Sequence, residues 1–321
     1  MATTTNSPPT PGSRHTRSKE IRPRRSLLLV TLVATLAAIG IVGGGIVIGR
    51  NIAPGPEAQS SVVPPPQQTQ APVSATPGAA PPVDSGAFAT EFASLAAQLS
   101  ATVGIEVRPV GAGPAPVTAG GWSTGTAWST IKVPLAIAGL RAATPPEVTD
   151  AIRAAITQSD NDAAESIWQS LGDPAEAAKK VEAVLADAGA PTTVESRKVR
   201  PEFTAFGQTT WSLADQATFL SSAVCDPSDQ PIMDLMGQIA PDQRWGLGMI
   251  PGAKFKGGWG PSPEGNYLVR QFGVIPVGDG LAVVAVAVEP TSGAFDDGTA
   301  ALTQIAMWLQ EHADLLPAGG C

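Results

Sequence analysis

Apolar and polar positions beyond residue 85 follow helical spacing in some stretches and strand spacing in others. Helical spacing predicts helices at 86–99, from Trp128–Ile131 through Leu140, and at 146–158, 162–171, 174–188, 213–224 and 297–314. Strand spacing predicts strands at Ala101–Val107, Pro116–Ala119, 253–259, 267–275 and 281–288. This order predicts an α+β fold in which both ends of the domain share one sheet and the middle forms a helical lobe.

The N-terminal part of the chain has a different pattern. Residues 26–49 carry no charge, and this run of 24 residues is long enough to cross a bilayer as one helix. Residues 1–25 hold six Lys and Arg against one acidic residue, which predicts a cytoplasmic basic tail and an extracytoplasmic C-terminal part. A cleaved signal peptide is the alternative, but the length of the run favours a single-pass signal-anchor in the cell membrane.

Residues 50–84 separate this predicted anchor from the domain at 85–321. The stretch 53–83 contains nine prolines and a single charged residue, Glu57. Such a composition cannot bury a core, so we predict an extended linker that holds the domain away from the membrane.

The charge of the chain limits its partners. From residue 51 onward, 13 Lys and Arg stand against 27 Asp and Glu, and a surface with this net charge of −14 does not suit nucleic acid or anionic lipid as a partner. The two cysteines, Cys225 and Cys321, lie in a predicted oxidising compartment. A disulfide and a free terminal thiol are both compatible with this pattern, and the oligomeric state is left open.

Histidine is scarce, which restricts the possible chemistry. His312 belongs to the domain, and His15 lies in the basic tail. A Ser-His-Asp triad and a histidine-rich metal site are therefore excluded, and no motif predicts a metal or a cofactor. An activated serine in this chain needs a lysine, glutamate or tyrosine as its base.

Three short motifs follow one another in the domain. Ser129-Thr130-Ile131-Lys132 places a serine and a lysine one helical turn apart, Ser159-Asp160-Asn161 lies between two predicted helices, and Lys256-Gly257-Gly258 lies on a predicted strand. In this order they resemble the signature of the serine β-lactamase and penicillin-binding protein superfamily, with one substitution in the third motif. The likeness to class A β-lactamases covers roughly residues 86–315.

The resemblance implies a fold and a set of roles. It implies an antiparallel sheet flanked by N- and C-terminal helices, together with an all-helical lobe. Ser129 would be the nucleophile, Lys132 its base, Ser159 a proton relay and Lys256 an electrostatic partner. The substrate-binding residues that it implies are Asn161, Gly258, Trp259 and Arg270.

Some features depart from the family pattern. The ω-loop motif Glu-x-x-Leu-Asn, whose glutamate activates the deacylating water in class A enzymes, is missing, and Glu202 and Glu195 are the remaining candidates. The sequence therefore predicts an extracytoplasmic serine hydrolase acting on an amide, a cell-envelope peptide or a β-lactam. The alternative hypothesis is a catalytically inactive β-lactamase-like domain that binds a cell-envelope component.

Overall fold

The computed structural model describes residues 83–321, which form an α+β domain. Its helices are α1 (Ser85–Ala96), α2 (Lys132–Ala142), α3 (Asp150–Thr157), α4 (Asn161–Ser170), α5 (Pro174–Asp187), α6 (Leu213–Ala223), α7 (Gln230–Met236) and α8 (Phe295–Glu311). Its strands are β1 (Ala101–Pro109), β2 (Val117–Gly120), β3 (Thr124–Thr126), β4 (Thr210–Ser212), β5 (Lys254–Pro261), β6 (Tyr267–Val277) and β7 (Gly280–Pro290).

The main sheet combines strands from both ends of the domain, as predicted. Its five strands lie in the order β2-β1-β7-β6-β5, and neighbouring strands pair in antiparallel fashion. β1 pairs with β7 from Ala101 opposite Pro290 to Pro109 opposite Ala282. β5 is an edge strand that pairs within this sheet with β6 alone. The backbone N–H and C=O groups along its outer edge therefore form no hydrogen bonds with another strand of the sheet.

Helices cover both faces of this sheet. On one face, Phe272 of β6 contacts Phe219 of α6. On the other face, Val269 lies against Gly298 of α8, and α8 in turn packs through Trp308 onto α1. Alternate residues of a strand point to opposite faces, so two covered faces require an almost continuous apolar strand. This explains the uninterrupted apolar run in β7.

The helical lobe is built around α2. Eight of the 11 residues of α2 are buried, because α3, α4, α5 and α7 pack around it. The predicted helix starting at Trp128–Ile131 begins as a 3₁₀ turn over those four residues and becomes α-helical at Lys132. Ser212 is the N-cap of α6, since its Oγ accepts a hydrogen bond from the Asp215 backbone N–H at 2.9 Å.

Some predicted boundaries are wrong, and one helix was not predicted. The third helix begins at Asp150 instead of residue 146, because Pro145 and Pro146 delay its start and Thr149 provides the N-cap. α7 was missed because seven residues are too short to show a helical repeat. The short strands β3 and β4, which pair with each other beside the nucleophile turn, were also missed.

A disulfide joins Cys225 and Cys321, which resolves the alternative that the sequence left open. Cys225 follows the C-terminus of α6, and the chain before Cys321 pairs with β7 through Gly319 and Leu281. The C-terminal tail is therefore fixed to the helix and to the sheet.

The predicted basic tail, signal-anchor and most of the linker lie outside the described residues. Within residues 83–321, no helix combines the length and the hydropathy needed to span a bilayer.

Candidate active site

Ser129 lies in a tight turn between β3 and α2. The preceding residue, Trp128, has a φ of 51°, in the left-handed region that costs a non-glycine residue about 1–3 kcal/mol. Packing holds this conformation: the Trp128 ring contacts the Phe203 ring edge-on, with centroids 5.0 Å apart. The turn brings Ser129 to the wall of a cavity of about 460 Å³ that Asn161 and Trp259 also line.

Arg270 supports the turn from below and does not line this cavity. Its guanidinium is fully buried and donates hydrogen bonds to the carbonyls of Gly125, Thr126 and Trp211 at 3.0–3.2 Å. It also donates to Gln216 Oε1 at 2.5 Å. The geometry therefore corrects the expectation that Arg270 binds a substrate carboxylate, because its donors are used by the backbone that leads into the turn.

The hydrogen-bond network continues from Arg270 to the residue after the serine. Gln216 Nε2 donates to Thr130 Oγ1 at 2.8 Å, and Thr130 Oγ1 donates to the Ala127 carbonyl at 2.6 Å. These bonds are buried, so the loss of one partner would leave an unsatisfied polar group. The network fixes the backbone on both sides of Ser129.

Two buried lysines converge on Ser159. Lys132 Nζ donates to the Ser159 carbonyl at 2.5 Å and to Asn161 Oδ1 at 2.7 Å. Lys256 Nζ donates to Ser159 Oγ at 2.8 Å and to the Gly257 carbonyl at 3.0 Å. Both lysines are almost completely buried, at 1% and 0% exposure. Residues from three distant parts of the sequence therefore meet at one point.

Ser159 needs an unusual backbone conformation to contact both amines. Its φ is 57°, again in the left-handed region. Its carbonyl accepts from Lys132, and its hydroxyl, 3.5 Å from Lys132 Nζ, accepts from Lys256. The following residue, Asp160, caps α4 through a 2.7 Å bond from the Ala163 backbone N–H. The motif thus begins a helix and also presents its serine to the lysine pair.

Burial controls the charge of this pair. Desolvation lowers the pKa of Lys132 from 10.5 to about 7, although the Asp160 carboxylate opposes the shift. Desolvation, and then repulsion by Lys132, lowers the pKa of Lys256 well below its ordinary value. For Lys132, burial is the cause that lowers the pKa, while the resemblance gives Lys256 the role of an electrostatic partner. Burial therefore favours the uncharged form of both amines more strongly than for an exposed lysine.

A neutral Lys132 has the hydrogen-bonding capacity that a base requires. An uncharged amine has two N–H groups and one lone pair, and the two N–H groups are used by Ser159 and Asn161. The lone pair is then available to accept a proton from a hydroxyl. Ser129 lies one helical turn before Lys132, on the same side of the helix start.

The depressed pKa values predict a pH-dependent stability. Between pH 7 and 10.5 the unfolded chain holds a proton on Lys132 that the folded protein has lost, so the free energy of unfolding rises with pH in this window. The limiting slope for one proton is about 1.4 kcal/mol per pH unit. Urea unfolding of the wild type between pH 7 and 9 should show this rise, and Lys132→Met should make the rise less steep, with the remainder due to Lys256. Parallel profiles for both proteins would contradict a neutral Lys132.

Gly258 allows the edge strand to approach the nucleophile turn. A Cβ at this position would lie 2.9 Å from the Ala127 carbonyl oxygen and from the backbone nitrogens of Ser129 and Thr130. Only glycine fits so close to another backbone segment. Gly258 was predicted to bind substrate, and the structure places it against the backbone that carries Ser129.

The side chain of Trp259 points to the face of β5 opposite to that of Gly258. Its ring packs against Trp245 and Phe295, with centroids 5.8 Å and 5.3 Å away, while the half-buried residue borders the cavity. The Trp259 ring therefore belongs to an aromatic cluster on the α8 side.

The charged side chains that line the cavity are mainly acidic: Asp162, Glu165, Glu202 and Lys198. Of the two predicted deacylation candidates, Glu202 lines this cavity, but it is largely exposed and pairs with Arg200 at 3.2 Å. Glu195 lines a neighbouring groove instead. Glu165, one turn after Asn161 on α4, was not singled out from the sequence because it belongs to none of the three motifs.

Comparisons with known proteins identify the fold. No protein-family model matches the chain, and no curated protein matches it. Among solved structures, an ancestral class A β-lactamase (GNCA) is similar at 21% identity and a TM-score of 0.55, covering 70% of this chain and 99% of that chain. A β-lactamase from Streptosporangium roseum is similar at 16% identity and a TM-score of 0.54, covering 72% and 100%.

The TLA-3 extended-spectrum β-lactamase is also similar, at 13% identity and a TM-score of 0.55, covering 70% of this chain and 99% of that chain. The sequence predicted an antiparallel sheet with strands from both ends of the domain and a separate helical lobe, and this prediction agrees with these structures. Residues 83–321 therefore have the β-lactamase-like α+β fold of the class A enzymes.

Proposed function

We propose that this protein is a membrane-anchored, extracytoplasmic serine hydrolase that works by acyl transfer through Ser129. The observation that carries this proposal is the convergence of two desolvated lysines on Ser159, next to the cavity that Ser129 lines. Desolvation of two amines with no carboxylate in hydrogen-bond contact destabilises a fold, and such a cost is typical of functional sites.

The proposed acylation uses these groups in sequence. Lys132 accepts the hydroxyl proton while Ser129 Oγ attacks the substrate carbonyl. Lys132 then returns this proton through the Ser159 hydroxyl to the leaving group, as the bond between the acyl carbon and the leaving group breaks. The backbone N–H groups of Ser129 and Trp259 would stabilise the oxyanion. Lys256 holds the Ser159 hydroxyl in place through its 2.8 Å hydrogen bond.

Two observations favour an amide or peptide of the cell envelope over a penicillin as substrate. β5 has an edge that its sheet leaves unpaired, which suits an extended peptide. The cavity is lined by three carboxylates and one lysine, while Arg270 is buried beneath the turn. This charge pattern suits a neutral or cationic acyl donor better than one with a carboxylate.

The proposed location rests on the N-terminal sequence and on the disulfide. The uncharged run at 26–49 follows six basic residues, as expected of a signal-anchor. The Cys225–Cys321 disulfide supports an oxidising compartment outside the cytoplasm. The net charge of −14 from residue 51 onward argues against a nucleic-acid partner.

Labelling with active-site probes tests this function. The full-length protein is incubated with a fluorescent fluorophosphonate and, separately, with a fluorescent penicillin. We expect the fluorophosphonate to label the wild type, and Ser129→Ala to remove the label. Ser123→Ala is a matched control because Ser123 is exposed and outside the cavity. Labelling that survives in Ser129→Ala would contradict the proposal, and an unreactive wild type would favour the binding-domain alternative.

A further inference from the structure

A glutamate on α4 is placed to complete the reaction that Ser129 begins. We propose that Glu165 is the general base of deacylation, which activates the water that hydrolyses the acyl-enzyme. This inference rests on the proposed function. It concerns the second half of the reaction, for which none of the three sequence motifs supplies a carboxylate in the cavity.

The position of Glu165 follows from helix geometry. Asn161 and Glu165 are four residues apart on α4, so their side chains share one face of the helix. Asn161 Oδ1 accepts a hydrogen bond from Lys132, which fixes this face next to the lysine. Glu165, Asn161 and Ser129 line the same cavity of about 460 Å³. An acyl group on Ser129 and the Glu165 carboxylate would therefore share this cavity with the attacking water.

The carboxylate of Glu165 is partly withdrawn from solvent and retains free hydrogen-bonding capacity. Its side chain is 21% exposed, and its Oε1 is buried without a hydrogen-bond partner in the described structure. Lys198 Nζ lies 3.3 Å from this oxygen, a charge contact outside hydrogen-bond geometry. Oε1 is thus closed to water, and the other carboxylate oxygen, Oε2, which accepts no hydrogen bond within residues 83–321, is the one that a water in the cavity can contact.

The other carboxylates are less suited to this role. Glu202 and Glu165 each pair with one cation, but Glu202 is 56% exposed and Glu165 only 21%. Asp162 is exposed in the first turn of α4, where its charge stabilises the helix N-terminus. Glu195 accepts hydrogen bonds from the Arg197 backbone and side chain, and these bonds lower its pKa and weaken it as a base. Glu165 combines cavity position, partial burial and a free acceptor.

The proposed step consumes one water. The Glu165 carboxylate takes a proton from the water, and the water oxygen bonds to the acyl carbon. The bond between that carbon and Ser129 Oγ then breaks. The proton acquired by Glu165 returns to Ser129 Oγ, so that the free enzyme and a carboxylic acid are formed. The reaction needs no metal, oxidant or additional co-reactant.

Burst kinetics of the full-length protein with p-nitrophenyl acetate separate the two half-reactions. Acylation releases nitrophenolate in a burst, and deacylation sets the steady-state rate. In Glu165→Gln we expect a burst of wild-type size, a steady-state rate lower by at least about 100-fold, and an acetyl group that persists on the Ser129 peptide by mass spectrometry. Glu91→Gln is the matched control, because Glu91 is an exposed glutamate on α1 outside this cavity, and it should change the steady-state rate by less than about threefold.

Each other outcome overturns a defined part of the account. A Glu165→Gln protein that clears its acetyl group at the wild-type rate refutes the role of Glu165 but leaves Ser129 as nucleophile. Loss of the burst in Glu165→Gln also refutes it, because the glutamate would then act before deacylation. If the wild-type protein never loses its acetyl group, it has no base for deacylation and the proposal for Glu165 is refuted. If the wild-type protein forms no acetyl adduct, the proposed function itself is refuted.

Discussion

Lys132→Met is expected to lower the rate of Ser129 acylation by about 10³-fold or more while the fold is retained. Methionine has a similar length and suits a site that is 99% buried, since Lys132 is only 1% exposed. The variant lacks the lone pair that accepts the serine proton. The measurement is the second-order rate of reaction with a fluorophosphonate, together with circular dichroism to verify the fold.

Two further variants sharpen this prediction. Lys179→Met changes an exposed lysine on α5 and should leave the rate unchanged. Lys132→Arg keeps a cation that stays protonated at neutral pH, so it should be as slow as the methionine variant. A fast Lys132→Arg enzyme would show that the site needs a positive charge and would contradict a neutral base.

Loss of the disulfide should produce the largest change in stability. Cys225 and Cys321 are separated by 96 positions, and the chain-entropy model gives about 4.7 kcal/mol for a loop of this length. Cys225→Ser should therefore lower the free energy of unfolding by about that amount, measured with urea. The wild type treated with a phosphine reductant is the matched control and should lose the same amount. Equal stability of the oxidised wild type and Cys225→Ser would contradict a structural role for the disulfide.

The sequence predicted most of the fold because its patterns are local. The apolar run in β7 and the helical spacing of α8 follow from burial in their own segments. α7 escaped prediction because its seven residues follow an irregular loop and are buried through contacts with α3 and β5. Packing between distant segments leaves no short-range repeat.

The sequence predicted the site less completely, because the role of a side chain depends on which face it occupies. Lys132, Ser159 and Lys256 do come together, as the order of the motifs implied. Arg270 faces the backbone of the nucleophile turn instead of the cavity, since it lies directly opposite Gly258 in the sheet. Glu165 lines the cavity because it follows Asn161 by four residues on α4. This spacing predicts the position of Glu165 only when the helix is known to begin at Asn161.

The pH dependence of Ser129 phosphonylation tests the central claim most directly. The reaction rate of the full-length protein with a fluorophosphonate is measured from pH 5 to 9, and the modified residue is identified by peptide mapping. The account predicts modification at Ser129 with a rate that rises through an apparent pKa of about 7, as Lys132 loses its proton. An unmodified Ser129, or a rate that does not rise with pH in this range, would contradict it.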